Sequence, residues 1–175
     1  QNGAGMVRFF LKENHPHFRL YVSPININPA DPALPVSSPV DYAADICEEV
    51  GFFHTQGIPE DTKALQAGVL DDREYLQQAE AVLQEELKIF DYALAHFDAG
   101  LLFYYFSSVD QNYHMFWRAV DDQHVLYSDT LRQQFGDFFP RLYEKMDAVV
   151  GRALEKAADG NTTLLVMSDH GFAPF

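Results

Sequence analysis

From Asp72 onward, apolar residues return every seven positions at Leu76, Leu83, Phe90 and Phe97, with Ala79, Leu87 and Leu94 filling the same face. Such a stripe predicts one long amphipathic helix over residues 72–98, capped by Asp71 or Asp72 and closed by Gly100. The run that follows, residues 101–109 (LLFYYFSSV), is almost continuously apolar and predicts a strand buried on both faces. Leu142, Met146, Val149, Val150 and Leu154 share one face of a second predicted helix, residues 137–158, with Pro140 tolerated in its first turn. Asp159-Gly160-Asn161 reads as a turn, and Thr162–Met167 as another buried strand. Strand, helix, strand at these lengths predicts a right-handed parallel crossover, and hence an α/β fold.

The first seventy residues are patterned differently. Residues 6–12 and 18–24 predict two strands joined by Glu13-Asn14-His15-Pro16-His17, the second alternating apolar and polar positions. Five prolines between residues 24 and 39 exclude regular structure there and predict an ordered surface loop or the edge of an insertion. Ser37 or Ser38, before Pro39, can cap a short helix over residues 40–50. Gln1-Asn2-Gly3-Ala4-Gly5 is glycine-rich but no phosphate cradle, since no strand precedes it and no Gly-Lys-Ser/Thr follows.

Composition narrows the classes without choosing among them. At 175 residues and 47% hydrophobic content the chain can build one real core. No apolar run reaches the roughly 18 residues that suggest a membrane span. The chain opens at Gln1 without methionine and closes at Phe175, so both ends are expected to be cut from a longer protein. The single Cys47 excludes an intrachain disulfide. Net charge is −14, from 26 acidic and 12 basic residues, which argues against tracking a nucleic-acid backbone. Solubility is the main reading of such a charge; a surface that handles phosphate esters through bound cations is the sharper alternative.

Two clusters can carry chemistry. The predicted strand 101–109 runs into Asp110-Gln111-Asn112-Tyr113-His114, and 162–167 runs into Ser168-Asp169-His170-Gly171-Phe172. With 16 Asp and 7 His in the chain, either spacing arises by chance about 0.6 times, so spacing alone decides nothing. Position is more telling, because open α/β sheets place ligands beyond the C-terminal ends of their strands. A helical turn after the first strand would bring Asp110 and His114 to one face. Gly171 would relax the backbone so that Asp169 and His170 converge. Carboxylate plus imidazole suits zinc, or manganese where oxygens dominate, and two such ions roughly 3.5–4 Å apart polarise a phosphoryl group. Equally, Asp110 and Asp169 can be caps with ordinary histidine neighbours.

The Ser168–Phe172 element after its strand resembles the Asp-His-Gly signature of the alkaline phosphatase superfamily, and within it the type I phosphodiesterase/nucleotide pyrophosphatase family. Asp110 and His114 are similar to that family's Asp-x-x-x-His pair, in the same chain order. The resemblance implies an alkaline-phosphatase-like α/β fold: a partly parallel sheet flanked by helices, incomplete in this chain. It implies that residues 1–175 are the internal part of one catalytic domain, with 1–70 a loop-rich cap or insertion and 71–175 the metal-site core. It further implies a metal-dependent hydrolase of phosphodiester or pyrophosphate bonds, with a small phosphate ester as substrate. Asp110 and His114 would bind one divalent ion, Asp169 and His170 the other, the ions being zinc or manganese.

The family pattern also requires an early Asp ligand, a Thr or Ser nucleophile at a helix start, and a late His ligand. None is assignable here: Thr55 and Thr62 do not follow a buried strand into a helix. The nucleophile is therefore expected outside this chain, and four ligands shared between two ions predict weak metal binding by the chain alone. A phosphomutase or sulfatase of the same superfamily, marked by Ser or Cys as nucleophile, is the enzymatic alternative; a ligand-binding α/β domain without catalysis is the other. His15 and His17 are expected on a surface turn. His54 and Thr55, beside Phe52 and Phe53, belong either to a packed loop or to a substrate pocket. Tyr113, Met115, Phe116 and Trp117 around His114 are expected to be core, with walling of the site as the alternative.

Overall fold

The computed structural model describes residues 4–173. The chain divides into two compact units, residues 1–106 and 107–175. Most of the glycine-rich start lies outside the described residues, as do Pro174 and Phe175.

The first unit opens with β1 (Gly5–Met6), β2 (Phe9–Glu13), β3 (Arg19–Val22) and β4 (Asn26–Ile27). β2 and β3 form the expected hairpin, antiparallel, with Phe10 opposite Tyr21 and Leu11 opposite Leu20 and a register shift between Leu11 and Glu13. β1 pairs with β4, and β4 lies inside the proline-rich stretch expected to hold no regular structure, which corrects that expectation. Proline removes a donor only at its own position, and Asn26-Ile27 contains none.

α1 (Tyr42–Val50) follows Pro39, and the Ser37 hydroxyl accepts from the Ala43 N–H at 3.0 Å, capping from six residues upstream. α2 (Thr62–Gln66) is capped by Asp61, which accepts from Ala64 N–H at 2.9 Å. Asp61 also accepts from the Tyr21 hydroxyl at 2.6 Å, so one carboxylate fastens the hairpin to α2. Burial, and then that carboxylate, push the Tyr21 hydroxyl well above the ordinary phenol range.

α3 (Asp72–His96) is the long predicted helix. Asp71 accepts from Glu74 N–H, and the Glu74 carboxylate accepts from Asp71 N–H at 2.8 Å, a complete capping box. Its buried positions are Tyr75, Ala79, Val82, Leu83, Phe90 and Tyr92. The apolar stripe is therefore broader than a strict seven-residue repeat, because three and four residues alternate along a helix face. Gly100, at φ 99°, takes the left-handed turn that ends this segment.

Residues 101–106 correct the expectation of a strand buried on both faces. Tyr104 and Phe106 pack on Phe90, at 5.2 and 5.4 Å between ring centres, and the Tyr104 hydroxyl donates to the Glu86 carbonyl. Leu101, Phe103 and Tyr105 face outward, Leu101 at 91% exposure. The run has the two-residue alternation of a strand, but no described strand pairs with it.

The second unit begins with α4 (Ser108–Phe116), continued by a 3₁₀ turn at Trp117–Ala119, then α5 (Asp129–Phe135) and α6 (Phe138–Ala157). Residues 108 and 109 thus open a helix instead of ending a strand. Phe116, fully buried, meets Phe135 and Phe138 at 5.5 and 5.6 Å. α6 buries Phe139, Leu142 and Val149, while Leu154 of the predicted face is exposed. Residues 162–167 form no strand, and Leu165, Val166 and Met167 are all exposed.

The described sheets are consequently two small antiparallel pairs, and the expected parallel crossover is absent from them. Hydrophobicity marks a segment as able to enter a sheet; only a hydrogen-bonding neighbour makes it a strand. The fold is mixed α/β without a parallel sheet.

The caps separate cleanly in energy. Asp71→Ala removes the capping box and is expected to cost about 1 kcal/mol in urea denaturation. Asp137→Ala, which precedes α6 without a capping bond, is expected to stay within about 0.5 kcal/mol.

Candidate metal centre

Asp110 sits in the first turn of α4 and His114 in its last. One helical turn separates them, as the i, i+4 spacing predicts. His114 Nε2 lies 3.5 Å from Asp110 Oδ1. Asp169 and His170 lie on the segment after residue 167, outside regular structure, and His170 Nε2 lies 3.5 Å from Asp169 Oδ2. Both carboxylates therefore face the Nε2 atom of their histidine at the same separation. That distance is long for a hydrogen bond. It matches the edge of a tetrahedral zinc site, where ligands at roughly 2.1 Å stand about 3.4 Å apart.

The tautomer of His170 follows from its other nitrogen. Nδ1 lies 2.9 Å from the Gly171 carbonyl, which only accepts, so Nδ1 carries the proton. In the neutral ring Nε2 then holds a lone pair on the side of the carboxylate, free to take a proton, a water hydrogen or a metal ion. The Gly171 carbonyl and then the Asp169 carboxylate raise the His170 pKa above the ordinary imidazole value; solvent exclusion lowers it slightly, and Asp110 adds a smaller upward push.

Gly171 has another role than the one its sequence position suggested. Its backbone is not left-handed and a Cβ there would meet nothing within 4 Å. What it supplies is the carbonyl that orients His170.

Phe172 joins the two segments. Its ring stacks on Tyr113 at 5.0 Å and 28°, meets His114 edge-on at 5.1 Å, and touches Trp117 at 5.3 Å. Tyr113 is held from its other side by Phe139 at 4.3 Å, and its hydroxyl donates to Tyr143 at 2.8 Å. Burial, then the Tyr143 hydroxyl, raise the Tyr113 pKa. Of the aromatics around His114, Phe116 is core, whereas Tyr113 and Trp117 form the wall on which the Asp-His-Gly segment rests. No sequence pattern marks Phe172 for this part; its place directly after Asp-His-Gly is the one available cue.

The geometry falls short of a complete centre. Among the described residues no three His, Cys, Asp or Glu side chains are placed to hold one metal ion. Each pair offers two donors, where zinc takes three or four protein ligands. The Thr55 hydroxyl donates to the Ile27 carbonyl at 2.8 Å, on a segment with no regular structure. Thr62 opens the five-residue α2.

An imidazole titration followed by NMR tests the proximity of the pairs. His170 is expected to titrate above the ordinary value of about 6.5. Asp169→Asn should lower its midpoint, and Asp110→Asn should lower it by less; a midpoint indifferent to Asp110 would separate the two pairs.

No curated protein and no solved structure matches the chain. A family model does, that of the type I phosphodiesterase / nucleotide pyrophosphatase family, over residues 29–175. The match spans both acid–imidazole pairs and most of the chain, and with it the chain belongs to the type I phosphodiesterase/nucleotide pyrophosphatase family.

Proposed function

We propose that this chain contributes half of a two-metal site to a hydrolase of phosphodiester or pyrophosphate bonds. Family membership gives the reaction class at its coarse level. The observation that carries the finer reading is the repeated geometry: two separate segments each present a carboxylate oxygen and an imidazole Nε2 3.5 Å apart. Asp110 and His114 would hold one ion, Asp169 and His170 the other, zinc or manganese by the chemistry of the donors.

When bound, the ions supply Lewis acidity to a phosphoryl oxygen and lower the pKa of the attacking oxygen. The chain's own residues orient the donors. The Gly171 carbonyl fixes the His170 tautomer with Nε2 free to bind, as outer hydrogen bonds do in metal sites. Phe172 holds the Asp169-His170 segment against α4 through Tyr113 and His114. The nucleophilic hydroxyl and the remaining ligands we place outside residues 1–175. The substrate is a small phosphate ester, and no described helix is long and apolar enough to cross a membrane.

With two donors per ion, the chain alone should bind zinc weakly. Elemental analysis after gel filtration should find well under two zinc ions per chain, and tight stoichiometric loading would contradict the assignment. In the protein that carries this chain, hydrolysis of an aryl phosphodiester should be lost on chelation and restored by zinc or manganese. Asp169→Ala should lower kcat/KM by more than about 100-fold, since even outer partners of metal ligands are worth 10- to 100-fold. A capping role would instead cost about 1 kcal/mol of stability and leave chelator sensitivity intact. Protons compete with metal at His170 Nε2, whose pKa is raised, so affinity should begin to fall at a pH above the ordinary imidazole midpoint.

A further inference from the structure

A second site lies in the first unit, independent of the acid–imidazole pairs. His54 is buried against α3, its side chain only 8% exposed. Its Nδ1 lies 2.7 Å from Glu85 Oε2, which also accepts from the His54 backbone N–H at 2.9 Å. The other oxygen of Glu85 pairs with the Arg8 guanidinium. Glu85 is thus neutralised by Arg8 and orients the imidazole, with Nδ1 as the donor. Nε2 is left with no protein partner among the described residues.

His54 lines a cavity of about 480 Å³, within the range of small-molecule sites. Val36, Tyr42, Ile46 and Phe53 supply its apolar walls. Most of its polar lining groups are already engaged. The Ser37 hydroxyl accepts from Ala43 N–H and faces the Pro39 carbonyl at 2.8 Å. The Thr55 hydroxyl donates to Ile27, and the Gln56 amide donates to the Ile25 carbonyl at 2.8 Å. Of the lining residues, His54 at Nε2 and Ser38 at its hydroxyl have no protein partner among the described residues.

We propose that this cavity is a binding site for a small neutral molecule with a flat apolar body and one hydroxyl or amide hydrogen, which donates to His54 Nε2. An anion is disfavoured because no Lys or Arg lines the cavity and Arg8 is committed to Glu85. A purely apolar ligand would cover Nε2 without giving it a partner, and so binds less well than one that donates. The long-range ordering of His54 by Glu85 and Arg8 is what a packed loop alone would not require.

Phenol is the test ligand, added to the isotopically labelled chain with His54 ring signals followed by NMR. Saturable shifts at His54, Tyr42 and Phe53 are expected. Toluene, of similar shape without the donor, should bind roughly five- to tenfold more weakly, the worth of one hydrogen bond. Benzoate should give no saturable shift. Ser38→Trp, at an exposed position on the rim, should abolish phenol binding while leaving the fold intact, and His54→Phe should remove the preference for phenol over toluene. Should His54→Phe fail to fold, Ser38→Trp alone decides. Equal affinity for phenol and toluene, linear shifts without saturation, or unchanged binding in Ser38→Trp would each overturn the proposal. None of these outcomes depends on metal or on phosphoester hydrolysis, so failure here is separate from failure of the metal reading.

Discussion

The stack of Phe172 on Tyr113 is the contact through which the two acid–imidazole pairs become one neighbourhood. Without it, Asp169 and His170 would lie on an irregular segment held by hydrogen bonds within itself, from the Ser168 hydroxyl to the His170 carbonyl and from His170 N–H to Asp169. Tyr113 can serve as a platform because it is itself immobilised, by Phe139 behind and by the Tyr143 hydroxyl at its tip. An offset aromatic pair is worth about 0.5–1.5 kcal/mol beyond its buried area. That is enough to bias a short loop, and it falls next to the residues whose spacing matters. Trp117, one turn further along, is anchored in turn by its Nε1–H to Asp121 at 3.0 Å.

Local signals were read well from the sequence, and non-local ones were not. The Asp71 cap, the long helix, the hairpin and the Asp110–His114 turn all depend on residues within a few positions of each other. Such features are dictated by side-chain entropy, caps and one helical period. The parallel sheet failed for the opposite reason. Residues 101–106 and 162–167 have the composition of buried strands, yet a strand exists only where a neighbour offers donors and acceptors in register. Neither pair lies beyond a parallel strand among the described residues, and what supports the metal proposal is the 3.5 Å spacing within each pair.

His54 shows the same division. Its environment depends on Arg8 and Glu85, one upstream between β1 and β2 and one on α3, and no pattern near residue 54 announces either. Phe172 was invisible as a clamp for a related cause: its partners lie on α4, more than fifty residues earlier in the chain. The acidic surplus, ambiguous as composition, acquires local meaning where Asp110 and Asp169 both act on one imidazole.

The Arg8–Glu85 pair ties the segment between β1 and β2 to a cavity wall. Arg8 is fastened in turn by its own N–H, which donates to the Ser23 hydroxyl at 2.9 Å. Replacing Arg8 by alanine would strip Glu85 of its counter-charge and leave a largely buried carboxylate facing the imidazole alone. The loop that carries His54 would lose the charge balance that seats it on α3, so the order of one cavity wall is set by a residue far upstream in the sequence.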